Sequence, residues 1–146
     1  MLRGFEVELV ALPKGAAERA LPVYREATGP DASGLVIGGQ SFGGRVASMI
    51  AADVRPAAVV LFSYPLHAPG RHEAWVERTA HWPSIECPVL LLSGESDPFA
   101  RIDLLRSAVG LLSRATLVTY PGLGHTLAPV LDQALDQVAA FIGSNT

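Results

Sequence analysis

An α/β fold, with a mostly parallel sheet of about five strands flanked by helices, is what this 146-residue sequence predicts. Three observations carry the prediction. Short apolar runs recur along the chain, among them Leu35-Val36-Ile37, Ala57 to Phe62 and Val89 to Leu92. Their continuity suits strands covered on both faces. Helix-compatible stretches with apolar residues three and four apart separate them. Gly, Pro or Ser bounds each run, as strand ends require.

Taken in order, Phe5 to Leu12 alternates and then turns apolar, which predicts a strand entering the core. Pro13-Lys14-Gly15 ends it. Ala16 to Thr28 reads as helix, with Pro22 expected to kink or divide it. Gly29-Pro30-Asp31 turns the chain into the short strand Leu35 to Gly38. A helix beginning at Phe42 follows, and Val54-Arg55-Pro56 breaks it before the strand Ala57 to Phe62. Ser63 to Pro83 is irregular, with a short helical candidate around Glu73 to Thr79. Val89 to Gly94 is the next buried strand. Pro98 to Ser113 is expected to be helical, with Ile102, Leu105, Val109 and Leu112 on its buried face. Ala115 to Tyr120 is the last strand. Pro129 to Ile142 closes the chain as a helix with Val130, Leu131, Ala134, Leu135, Val138 and Phe141 inward. No repeat, low-complexity tract or linker divides the sequence, so residues 1–146 are expected to form one domain.

Composition narrows the function classes. Hydrophobic residues make up 49% and charged ones 17%, yet no apolar run approaches the ~18 to 20 residues of a membrane span. A net charge of −3 argues against a nucleic-acid surface. The acids Glu6 and Glu8 fall where an export signal would be apolar, which predicts a cytoplasmic protein. The single cysteine, Cys87, precludes an internal disulfide and is expected to pack.

The chemistry concentrates at Gly39-Gln40-Ser41-Phe42-Gly43, a G-x-S-x-G sequence between a predicted strand and a predicted helix. A serine on so sharp a turn is strained, and the residues two before and two after it are expected to need small size. The helix N-terminus behind it aims free N–H groups at a developing negative charge. Ligands gather at the C-terminal strand ends of parallel sheets, so partners are sought there. The strand Val89 to Ser93 runs into Gly94-Glu95-Ser96-Asp97-Pro98, and the strand Ala115 to Tyr120 into Pro121-Gly122-Leu123-Gly124-His125. Ser41, Asp97 and His125 thus share one sheet edge in the order Ser, Asp, His of an α/β-hydrolase. A neutral imidazole must take the serine proton, and a carboxylate must hold the imidazole tautomer. Asp97 could instead cap a helix led by Pro98, and His125 could be a plain loop residue; their joint placement favours the catalytic assignment. Glu95 comes early in its loop and Asp103 lies within the next helix, so Asp97 is preferred. His67, His72 and His81 lack metal-ligand spacing; His72 and His81 are expected to face solvent. His67, just past a strand end, is a pocket candidate, and Arg45 is expected to form an ion pair.

Three stretches, Gly38 to Ser48, Phe62-Ser63-Tyr64-Pro65-Leu66-His67-Ala68-Pro69-Gly70 and Ser93 to Phe99, closely resemble the α/β-hydrolase-like family of testis-expressed protein 30 and subunit 3 of the non-specific-lethal complex. Bacterial members of that family are described as dienelactone-hydrolase-like. The resemblance spans nearly the whole chain. It implies a three-layer α/β-hydrolase fold, Ser41, Asp97 and His125 as a triad, and no cofactor or metal. It also implies a further N-terminal strand and a His-Gly-Ala-Gly-type loop, which would give the second oxyanion N–H beside that of Phe42. Neither is found before Phe5. The expectation is a shortened fold, either with its first segment missing or with its first two strands paired directly. The function so predicted is a serine hydrolase for a small ester, thioester or amide, with Tyr64, His67, Phe99 and the Phe42 ring near the substrate. The alternative is a non-catalytic α/β-hydrolase-like scaffold. A small-molecule substrate, no nucleic acid, no membrane and a tendency to self-associate through an exposed sheet edge complete the expectations.

Overall fold

The computed structural model describes residues 3–146. Four strands, β1 (Val36–Gln40), β2 (Ala58–Phe62), β3 (Val89–Gly94) and β4 (Ala115–Tyr120), form one parallel sheet in the order β1-β2-β3-β4. Registers such as Gly39 with Leu61, Leu61 with Leu91 and Leu92 with Val118 bring the C-terminal strand ends to one edge. Alternation explains why the strands read as unbroken apolar runs. Val59, Leu61, Val89 and Leu91 enter one core, while Ala58, Val60, Leu90 and Leu92 enter the other. The first core is closed by α1 (Ala17–Thr28), α2 (Phe42–Asp53) and α4 (Ile102–Val109) through Ala20, Val46, Ile50 and Leu105. The second is closed by α5 (Leu131–Asn145) through Ala134 and Phe141. The result is helix, sheet, helix. No helix among the described residues is long and apolar enough to cross a membrane.

Several elements depart from expectation, each for a physical reason. Residues 5–12 do not join the sheet; Phe5 makes an isolated bridge, and Val7 and Leu9 stand 56% and 92% exposed. Arg3 ties this segment instead to Asp132 and Asp136 of α5, where Phe5 and Val7 share a cleft of about 80 Å3 with Leu135, Val138 and Ile142. The free edge of β1 is occupied by Tyr24 of α1. Its hydroxyl donates to the Gly38 carbonyl at 2.8 Å and accepts from the Gly38 N–H at 3.0 Å. The first two predicted strands therefore do not pair. Met1 and Leu2 lie outside the described residues.

Pro22 sits inside α1 without dividing it. The predicted helix from Pro98 begins only at Ile102, because residues 97–101 are committed to a turn described below. A short α3 (Trp75–Arg78), flanked by 3-10 turns at His72–Ala74 and Trp82–Ser84, occupies the predicted helical stretch. Leu131, expected inward on the last helix, is 50% exposed.

Candidate active site

Ser41 follows the last residue of β1 and precedes the first of α2, at φ 51° and ψ −118°. That left-handed backbone is unfavourable for a side-chain-bearing residue by about 1–2 kcal/mol, so its neighbours must hold it. The Ser41 N–H donates to the Phe62 carbonyl at 2.8 Å, extending the β1–β2 ladder by one bond, and the Ser41 carbonyl accepts from Arg45 N–H at 3.0 Å. Gly39 is required: a Cβ there would sit 2.3 Å from the Gly43 carbonyl carbon. The second small residue is Gly44 rather than the expected Gly43. A Cβ on Gly44 would meet the Gly39 carbonyl oxygen at 2.9 Å, whereas one on Gly43 would meet nothing within 4 Å. Phe42 opens α2, so its N–H belongs to the free first turn beside Ser41.

The structure brings Ser41, His125 and Asp97 together. Ser41 Oγ lies 2.8 Å from His125 Nε2, and His125 Nδ1 lies 2.8 Å from Asp97 Oδ2. The Asp97 side chain is fully buried and that of His125 is 30% exposed, so the acid is shielded and the imidazole reaches solvent. The second Asp97 oxygen accepts the Phe99 N–H at 2.8 Å. Asp97 therefore folds its own turn and does not cap α4, whose N-cap position is Arg101. The rival acids are engaged elsewhere. Glu95 accepts from the Thr119 hydroxyl at 2.7 Å, and Asp103 pairs with Arg101 at 2.9 Å.

Backbone contacts set the His125 loop against the Asp97 loop. Glu95 N–H donates to the Tyr120 carbonyl at 3.0 Å and Ser96 N–H to the Leu123 carbonyl at 2.9 Å. Gly94 makes the approach feasible, because a Cβ there would lie 2.3 Å from both the Gly124 and Leu123 oxygens.

Of the expected pocket residues, Phe99 reaches the site, its ring 4.6 Å from that of His125, while the Phe42 ring packs against the first core. Tyr64 is buried in the first core, where its hydroxyl donates to the Arg78 carbonyl and its ring meets Trp82 edge-on. His67 is fully buried. Its Nδ1–H donates to the Ala68 carbonyl at 2.9 Å, Nε2 accepts the Arg101 N–H at 3.1 Å, and its own N–H donates to the Phe99 carbonyl. It fastens the turn that carries Asp97. His81, expected in solvent, is half-buried with Nε2 2.7 Å from Ser48 Oγ. Burial first, and the charge of Arg45 second, lower its pKa to about 4. Arg45 forms no ion pair among the described residues. Sequence reasoning missed Gln40, Ser63 and Thr126, which line a cleft of about 350 Å3. The strand-end rule that found Asp97 and His125 points to them equally, since they flank Ser41, β2 and His125.

The sequence model of the family described as alpha/beta hydrolase domain matches residues 16–142. The chain belongs to this α/β-hydrolase family. No curated protein matches it. Among solved structures, this hydrolase domain superimposes on the Paleococcus ferrophilus monoacylglycerol lipase with a TM-score of 0.76 at 14% identity, over 90% of this chain and 77% of that one. A bacterial membrane phospholipase A gives 0.65 at 18% identity, covering 88% and 62%. The dienelactone hydrolase of Anabaena variabilis gives 0.59 at 23%, covering 75% and 49%. The chain thus spans less than two thirds of the latter two proteins, and at these identities the likeness is one of fold.

Proposed function

We propose that this α/β-hydrolase domain is a serine hydrolase acting on a small ester, thioester or amide. The observation that carries the reading is the unbroken chain from Ser41 Oγ through His125 to buried Asp97, with both links at 2.8 Å. In the proposed reaction Ser41 Oγ attacks the acyl carbonyl carbon while His125 Nε2 takes its proton. The Phe42 N–H donates to the oxyanion. His125 then protonates the leaving alcohol, thiol or amine as its bond to the acyl carbon breaks, which leaves the acyl group on Ser41. Water attacks that ester, gives a proton to His125, and the acid departs as Ser41 recovers its proton. Asp97 keeps the Nδ1–H on the ring and stabilises the imidazolium.

Within the α/β hydrolases, the Ser63-Tyr64-Pro65-Leu66-His67 stretch supports a place beside the testis-expressed protein 30 group. His67 gives that stretch a structural task, since it holds the Asp97 turn. A fluorophosphonate probe is expected to label the wild type and not Ser41→Ala, and p-nitrophenyl acetate is expected to be turned over only by the former. Folded wild-type protein that neither labels nor turns over would favour a scaffold instead.

A further inference from the structure

The cleft of about 350 Å3 has no part in the steps above. Its walls include Gln40, Phe62, Ser63, Thr126, Leu127 and Leu131, and no ionisable side chain lines it. Gln40 precedes Ser41 and Thr126 follows His125 in the chain. The cleft is thus lined by the chain neighbours of the two residues whose reacting atoms are 2.8 Å apart, and not by those two residues themselves. Its volume holds on the order of ten non-hydrogen atoms, at the ~30 Å3 that a water occupies in the liquid, and falls within the range of small-ligand pockets.

Ser63 is the second observation. It follows β2 as Ser41 follows β1, with the same φ of 51°. Its N–H is spent on the Leu92 carbonyl at 2.8 Å, but its fully buried Oγ has no hydrogen-bond partner. Buried hydroxyls are normally paired, and one left free in the wall of a cleft is available to a ligand. A carboxylate in this cleft would lose its water without gaining a cation.

We propose that the cleft holds the acyl part of the substrate, an uncharged aliphatic chain of about six to eight carbons bearing a ketone or hydroxyl oxygen that the Ser63 hydroxyl engages. This rests on the serine-hydrolase reading for the chemistry but not for the binding, and the tests separate the two. With Ser41→Ala protein, which cannot turn over, ligand-observed NMR is expected to show octan-2-one binding. Leu131→Trp, at a half-exposed position that tolerates a larger ring, should weaken octan-2-one at least fivefold, and Ser63→Ala at least threefold, with circular dichroism unchanged. In Ser41-competent protein, p-nitrophenyl hexanoate should exceed the acetate at least tenfold in kcat/KM, and Leu131→Trp should erase that ratio. No octan-2-one binding, or indifference to Leu131→Trp, overturns the cleft assignment. Indifference to Ser63→Ala alone overturns the role of its hydroxyl. Ser41-dependent acetate turnover with a flat chain-length profile sinks this inference and leaves the hydrolase standing; octan-2-one binding in the expected pattern without turnover does the reverse.

Discussion

Replacing Gly94 by alanine should disable the site from a position that touches none of its reacting atoms. The added Cβ would lie 2.3 Å from the Gly124 and Leu123 oxygens and 2.6 Å from the Leu123 carbon, all backbone atoms. Ordinary contact begins near 3.4 Å, so the two strand-end loops must separate by roughly 1 Å, and a displacement of that size in a reacting group costs about 10²-fold in rate. Gly124 is bonded to His125, whose two links are 2.8 Å long. Stretching either by 1 Å takes it beyond hydrogen-bonding range. We expect Gly94→Ala to lower kcat/KM for p-nitrophenyl acetate about 10²-fold, with a stability cost of about 1–3 kcal/mol from overpacking. Gly43→Ala is the matched control. It adds the same methyl where nothing lies within 4 Å and should leave stability equal or up to ~1 kcal/mol higher. The assay is steady-state kinetics at 25 °C beside urea denaturation. A Gly94→Ala protein within threefold of wild type would refute the idea that this loop contact sets the position of His125.

Three further outcomes follow from particular contacts. Asp97→Asn keeps the turn through Phe99 N–H but offers no charge to His125, so kcat should fall on the order of 10³–10⁴-fold with circular dichroism unchanged. Tyr24→Phe strips both bonds from Gly38 at the sheet edge; we expect a loss of about 2 kcal/mol, a Tm lower by about 4–8 °C, and self-association visible by light scattering. His81, held at about 4 against an ordinary 6.5, is neutral in the folded protein while the unfolded chain already binds its proton. Stability is therefore complete above about pH 7 and falls as pH drops from 6.5 to 4. The full span corresponds to about 3 kcal/mol, which partial exposure of the ring reduces to about 1–2. Urea midpoints at pH 7 and pH 4.5 should differ by less in His81→Gln than in wild type.

Where the local sequence and the tertiary fold agree, the reading from residues succeeds. The central strands β2 and β3 are apolar on both faces because both faces are covered, and such runs read the same from sequence as from structure. With Ser41 marked by its motif, the strand ends then locate Asp97 and His125 by topology. Failures occur where a residue's partner is distant in sequence. Phe5 to Leu12 has the alternation of a strand, but an edge position needs a neighbour, and that at Gly38 is a tyrosine hydroxyl from α1. Pro98 reads as a helix start, yet the Arg101 N–H is bound by His67 Nε2 from 34 residues away. Tyr64 and His67 follow a strand end, which suggested a pocket, but the chain turns them inward toward Arg78 and Arg101.

The same contacts show how unequal the three site residues are in what holds them. Ser41 is placed by Gly39, Gly44 and one ladder bond to Phe62, so the six residues Gly39 to Gly44 carry most of its signal in the sequence. Asp97 is placed by its own bond to Phe99 and by His67, and His125 by its bond to Asp97 and by the packing of its loop on the Gly94–Ser96 backbone. Ser41 is thus fixed by its backbone turn, while His125 and Asp97 are fixed by contacts between loops. Substitutions at His67 and Gly94 should therefore act on Asp97 and His125 and leave the Ser41 turn intact. That separation would be visible as a protein that loses turnover of p-nitrophenyl acetate by more than tenfold while its Ser41→Ala and serine forms remain equally stable.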